Sequence, residues 1–236
     1  MLRLHEQTQG IKKLSEKIES AVQRGAKIGT LGSPNKITEF KMDVLEGAIN
    51  APLQGKLGVF MFKEGGHYKI VLAQVMELED KNVWHEHPAL RAVIKRLGQI
   101  PYISGVTDLK GATLRLVACY EVDDQNNMLR PSQLYTPPVS GISVHEVTNE
   151  LMDLLPVPAK FFVGYFYGTR THAPLSIKHF GNGPDGLGEA HHFGIFGPTG
   201  SGKSVLVAML IIGFVRHRMG VFIIDPQGEF AGDRFK

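Results

Sequence analysis

Cysteine is almost missing from this chain of 236 residues, where Cys119 stands alone. That excludes an internal disulfide framework and any zinc site built from clustered thiolates. Cys119 lies in a strand-like run, 113–122, and reads as a small core residue. A reducing cytoplasm is its natural setting. Long apolar runs are equally scarce. The longest, 205–215, has eleven residues, short of the roughly twenty that a bilayer span needs. The N-terminus is polar and lacks the apolar core of a secretion signal. A membrane partner is therefore not expected. One-sided charge is lacking as well. With 26 Lys and Arg against 23 Asp and Glu, the formal charge is +3. That is compatible with nucleic acid, but no block of cations argues for it alone. Internal repeats and low-complexity tracts are absent. A hydrophobic share of 43% and a charged share of 21% describe an ordinary globular protein of one large domain or two modest ones.

Against this plain background, one string carries chemistry. Gly197, Pro198, Thr199, Gly200, Ser201, Gly202, Lys203 and Ser204 read G-x-x-x-x-G-K-S, a complete phosphate-binding loop. Its flanks suit it. Phe193, Gly194, Ile195 and Phe196 make a short apolar run fit for a buried strand, and 205–215, opening at Val205, is long enough for the helix that should follow. After Gly220 comes a second strand-like run, Val221, Phe222, Ile223 and Ile224, ending at Asp225. Strand, glycine loop, helix, strand is the nucleotide-binding βαβ unit. Glycines let the loop curl so that backbone N–H groups converge on an anion, and the helix N-terminus adds orphan donors and the positive end of its dipole. Lys203 is expected to reach the β- and γ-phosphates, and the Ser204 hydroxyl to ligate Mg²⁺. Residues 197–205 thus predict an ATP or GTP site.

The first part of the chain has a different texture. Ile11, Leu14, Ile18 and Val22 recur at helical spacing among lysines and glutamates, which predicts an amphipathic helix over 9–23 capped by Gly25. It serves its own domain or docks a partner. Then come short β-rich runs at 26–31, 36–44, 58–62, 68–76 and 113–122, punctuated by glycine, proline and asparagine turns. Such spacing suggests a small barrel or sandwich. Within it, Leu90, Val93, Ile94 and Leu97, between Pro88 and Gly98, predict an inserted helix. Residues 123–141 read as a long connection with one edge strand, and 147–155 as a short helix. The organisation expected is a helix over 1–25, a β domain over 26–158 with a helical insertion near 88–98, and the opening of a nucleotide-binding domain over 159–236.

The C-terminal third resembles the HerA family of the HerA/FtsK group. His191 and His192 lead into the strand and loop, and Ile223, Ile224, Asp225, Pro226, Gln227, Gly228, Glu229 and Phe230 resemble the family's D-P-x-G-E-[YF] segment. Pro198 and Gln227 are variations on the family pattern. The approach from Val163 and Gly164 to Ile177 is also similar. The β-rich half is similar in order and length to the family's N-terminal HAS-barrel, with Ile28, Gly29 and Thr30 as weak markers. The resemblance implies an α+β chain, with a small β-barrel followed by an incomplete α/β RecA-like P-loop NTPase domain. It implies a homo-hexameric ring that hydrolyses ATP with Mg²⁺ and moves double-stranded DNA. A nuclease or other effector would dock on the N-terminal barrel, in DNA processing or antiviral defence. It places the Walker B strand and an arginine finger further along than Lys236, so the chain reads as the front part of a longer ATPase, inactive by itself. A non-catalytic ring-assembly and effector-docking module is the rival reading, and a coupling ATPase of DNA transfer a third.

Other candidates stay open at this point. Asp225 ends an apolar run; it sits beside Mg²⁺ or the loop, ligates the metal directly, or caps the turn at Pro226. Glu229 either polarises the attacking water, which would make it catalytic alongside Lys203, or is a surface carboxylate. His191 and His192 read as packing groups. His85, Glu86 and His87 offer alternating imidazoles near Trp84 for a metal, but lack a further ligand at helical spacing. Phe161, Phe162, Tyr165, Phe166 and Tyr167 pack a strand or stack on bases.

Overall fold

The computed structural model describes residues 13–105, 108–156, 160–176, 194–216, 218, 220–228 and 230. Two units divide the chain, Met1–Pro156 with Phe166–Thr171, and Val157–Tyr165 with His172–Lys236. The chain is α+β, with a closed β-barrel in the first unit and part of a second domain in the other.

The first unit opens with α1 (Leu14–Gln23). Its apolar residues recur every three or four positions, so Leu14, Ile18, Ala21 and Val22 share one face and are buried. The strands β1 (Lys27–Leu31), β2 (Glu39–Val44), β3 (Leu57–Glu64), β4 (His67–Lys81), β5 (Leu109–Asp123) and β7 (Ser143–Glu146) close on themselves. The circuit runs β1, β7, β3, β4, β5, β2 and back to β1, antiparallel throughout. β6 (Met128–Ser132) lies outside the circuit, paired to β5, with Pro131 on it as suits an edge strand. Period-two alternation turns Phe40, Met42, Phe60, Val71, Ala73, Val75 and Leu114 inward, where they form the core. Phe40 meets Phe60 edge-to-face, ring centroids 5.2 Å apart, the arrangement that aromatic quadrupoles favour. α4 (Asn149–Leu154) follows β7, its Leu151 amide capped by the Thr148 hydroxyl.

One end of the barrel interior is polar. Lys69 has the inward parity of Val71, and its side chain is 2% exposed. Its ammonium lies 2.7 Å from Glu121 Oε2 and donates to Ser132 Oγ at 2.7 Å. Tyr135 presents its ring to the same ammonium. Glu64, 8% exposed, accepts from the Tyr135 and Thr136 amides and the Thr136 hydroxyl through Oε1. Its Oε2, which accepts no hydrogen bond, stands 3.9 Å from Lys69.

Ladders override composition in two places. β4 and β5 run well past the apolar stretches that announced them, because the polar tail Glu77–Lys81 pairs with Leu109–Thr113. β2 also pairs with β5 as far as Gly111, so only Asp80 and Lys81 with Leu109 and Lys110 continue as a two-stranded ribbon, and at its end stand α2 (Val83–Glu86) and α3 (Pro88–Leu97). β7 has only Val144 as an apolar signal, and pairing on both sides makes it a strand.

In the second unit, β8 (Lys160–Tyr165) and β9 (His172–Ser176) form a hairpin. The helix α5 (Lys203–Arg216) packs on it through Leu210 and Phe161. Gly213 leaves room for the hairpin; a Cβ there would lie 2.9 to 3.0 Å from three Phe161 ring carbons. The sequence reading needs correction here. The βαβ unit expected around the loop is represented by its helix. Gly194, Ile195, Phe196 and residues 221–224 join no ladder among the described residues, and Phe196, Phe222 and Ile224 are 93%, 89% and 81% exposed. A strand exists by its inter-strand hydrogen bonds, and apolarity alone does not supply a partner. Phe193 lies outside the described residues, as do 9–12 of the first expected helix.

Candidate functional site

The loop from Gly197 to Gly202 turns on itself before entering α5. The Ser201 amide donates to the Pro198 carbonyl at 3.2 Å, closing a tight turn. Gly200 and Gly202 take φ of +81° and +85°, values that cost an L side chain about 1–2 kcal/mol. A Cβ on Gly197 would meet Ser201 Oγ at 2.6 Å, so the two sides of the turn already touch. The glycines of the motif therefore serve backbone shape.

The first α-helical bond runs from the Leu206 amide to the Gly202 carbonyl at 3.0 Å. The amides of Lys203, Ser204 and Val205 precede it and have no intrahelical acceptor. Three orphan donors at the positive end of a fourteen-residue helix favour an anion by about 0.3–1 kcal/mol. Lys203 adds a full charge. Its Nζ donates to the Pro198 carbonyl at 2.8 Å, which folds the side chain back over the loop instead of into solvent. Pro198 contributes a carbonyl, which every residue has, a role the residue type alone did not disclose. The loop is open to solvent, with Ser204 exposed. Curled glycine backbone, three unspent amides, a cation bent over them and a hydroxyl beside it fit a nucleotide's phosphate tail, with Ser204 Oγ free for a magnesium ion.

Asp225 sits in its own turn. Its Oδ2 accepts from the Phe230 amide at 2.6 Å, while its carbonyl faces the Gly228 amide. Among the described residues no hydrogen bond joins it to the loop. Glu229, His191 and His192 lie outside the described residues. His85 is engaged with Ser104 Oγ through Nε2 at 2.7 Å, and no group of three His, Cys, Asp or Glu suited to a metal occurs among the described residues. Cys119 is buried, and burial pushes its thiol up to about 11. The aromatic cluster divides. Phe161 is buried against α5, whereas Phe162 and Tyr165 flank His172 on the hairpin's other face, centroids 5.1 and 5.3 Å from its ring. No helix among the described residues is long and apolar enough to cross a membrane.

Residues 189–235 match the family model described as the central domain of helicase HerA. No curated protein matches the chain. The match covers the loop, α5 and the Asp225 turn, and leaves the barrel outside it. The curled loop at 197–202 and the helix that follows it lie inside the matched segment. Over the segment 189–235 this chain is thus similar to the central domain of helicase HerA, a likeness that points to an ATPase motor.

Proposed function

We propose that the protein is a subunit of an ATP-driven, HerA-like DNA translocase. It assembles as a homo-hexameric ring, moves double-stranded DNA, and receives a nuclease or other effector on its N-terminal barrel, in DNA processing or antiviral defence. The observation that carries the reading is the curled loop of 197–202 running into α5 with Lys203 folded over it, inside a segment that matches a motor-family model. Residues 197–205 hold the phosphates through backbone amides. Lys203 sets a cation against the terminal phosphates, and Ser204 offers its hydroxyl to Mg²⁺. When bound, Mg²⁺ neutralises charge that develops on the phosphate oxygens. Asp225 leaves its own turn to stand near the metal, and Glu229 orients water.

Binding of a fluorescent ATP analogue with Mg²⁺, followed by phosphate release with and without duplex DNA, tests this. Lys203→Ala is expected to weaken binding about tenfold or more, the loss of one charge-assisted contact, and to abolish any release. Equal binding by wild type and Lys203→Ala would refute the site. Binding without DNA-stimulated release would favour the second reading, a ring-assembly and effector-docking module in which nucleotide is a structural ligand. The closed, well-packed core of the barrel is the observation that favours that alternative.

A further inference from the structure

Residues 82–105, at the tip of the β4–β5 ribbon, form a built arm. Asn82 Oδ1 accepts the amides of Trp84 and His85 at 3.0 and 3.1 Å and caps α2, while Nδ2 donates to the Ile103 carbonyl at 3.2 Å. His85 holds Ser104, whose hydroxyl also accepts the Ile100 amide at 2.9 Å. The path out of the ribbon and the path back are thus tied together, with α3 between them, Pro88 in its first turn and Gly98 at its end. Leu90, Val93, Ile94 and Leu97 fall on one stripe of α3 by the three-and-four rule. None of the helix's ten residues is buried, and Leu97 is 74% exposed. Beside that stripe are Arg91, Lys95 and Arg96, none of them in an ion pair among the described residues, and α3 contains no carboxylate.

At the root of the same ribbon is a cleft of about 240 Å³. Val44, Ile49, Ala51, Leu53 and Leu78 give it an apolar floor, with Glu79, Asp80 and Lys110 at its rim. Glu79 is already paired to Lys41 and Lys81, and Lys110 donates to the Ile49 carbonyl. Asp80, exposed at the cleft's rim and on the Leu78 face of β4, has no cation within ion-pair distance among the described residues. One copy therefore presents an ordered, basic helix with an apolar stripe and an apolar cleft with one unpaired carboxylate, Asp80, at its rim.

We infer that α3 of one copy docks in the β4-root cleft of a second copy, apolar stripe on apolar floor and Arg91, Lys95 or Arg96 against Asp80. Nucleic acid or an anionic bilayer would use the cations, but neither would occupy the cleft. A second copy satisfies both surfaces at once, and each copy donates one helix and offers one cleft. Because the arm is tied internally before docking, little ordering is left for the encounter. The contact deepens the self-assembly in the proposed function, but does not depend on the phosphate loop.

Sedimentation of the full chain without nucleotide tests it. Wild type should self-associate, more weakly in high salt. Val93→Asp with Leu97→Asp, and separately Leu78→Arg with Asp80→Lys, should each raise the dissociation constant about tenfold or more while leaving the barrel's melting temperature in place. Should the first pair unfold the arm, Arg91→Glu with Lys95→Glu replaces it. A mixture of arm variant and cleft variant keeps one good arm and one good cleft, so it should recover a one-to-one complex that neither forms alone. A monomeric wild type, an arm variant that associates normally, or a mixture that stays dissociated would overturn the inference. So would an arm variant that loses only its binding to duplex DNA or phosphatidylserine vesicles. Nucleotide binding is measured apart, so failure of this contact and failure of the phosphate site are distinguishable.

Discussion

Lys69→Met offers the sharpest test of how the barrel is held. The substitution keeps the aliphatic stem and removes the charge at the interior's polar end. It leaves Glu121 without its 2.7 Å partner and Glu64 Oε2 buried with no cation at 3.9 Å. Breaking a buried pair by removing one member costs about 3–5 kcal/mol, because the remaining charge stays desolvated. At about 2–4 °C per kcal/mol for a chain of this size, the melting temperature should fall by about 6–20 °C at pH 7. The pH dependence discriminates further. The Lys69 ammonium holds Glu121 below the ordinary carboxylate range. At Glu64 burial works upward, but the Thr136 hydroxyl, the Thr136 and Tyr135 amides and Lys69 outweigh it, so that group is lowered too. A carboxylate whose folded value is depressed adds stability above its unfolded value near 4.3, and loses it as pH falls through the folded value. The gap between wild type and Lys69→Met should therefore be widest at neutral pH and shrink below about pH 4.5. Melting followed by circular dichroism across that range reads it. A variant that melts with wild type at pH 7, or a gap that widens in acid, would refute the reasoning.

Other outcomes follow from single contacts. Asp124 accepts the Ser15 amide at 2.8 Å and the Ser15 hydroxyl at 2.7 Å, capping α1 from across the fold. Asp124→Ala should cost about 1–2 kcal/mol, with faster amide exchange in 14–18. Gly213→Val puts a branched side chain against the Phe161 ring and should cost the second unit about 1–3 kcal/mol. Hydrogen exchange should speed up in α5 and stay unchanged in the barrel, and equal protection of α5 in wild type and Gly213→Val would dismiss that contact. Cys119, with its thiol near 11, should react with a thiol reagent at pH 8 only as fast as the barrel opens. Labelling at the rate of a free thiol would show the barrel to be open there.

Much of the architecture was legible locally. The α1 stripe, the β-rich runs, the Pro88 and Gly98 boundaries of α3 and the curl of the glycine loop depend on short-range rules: which residues repeat at 3.6 or 2, which fix φ, which tolerate positive φ. Interactions between distant segments were not. β7 is four residues with one apolar side chain, and it is a strand because β1 and β3 flank it. Asp124 caps a helix 109 residues away. Nothing in the local pattern warned that Lys69 would be buried, since its carboxylate partners come from two other strands. The opposite error occurred at 194–196 and 221–224, where apolar runs signalled strands that have no ladder among the described residues.

What the amino-acid order determined unaided is the chemistry of the loop. A run of glycines ending in Gly202, Lys203 and Ser204 dictates a curled backbone and a cation beside it, because φ preference and charge belong to the residues themselves. What only the tertiary structure decided is closure and partnership. Which strands seal the barrel, that Lys69 rather than an aliphatic fills its end, and that the α3 stripe faces outward depend on contacts between residues far apart in the chain. Side-chain burial is a property of the surroundings, and a linear string does not carry its surroundings.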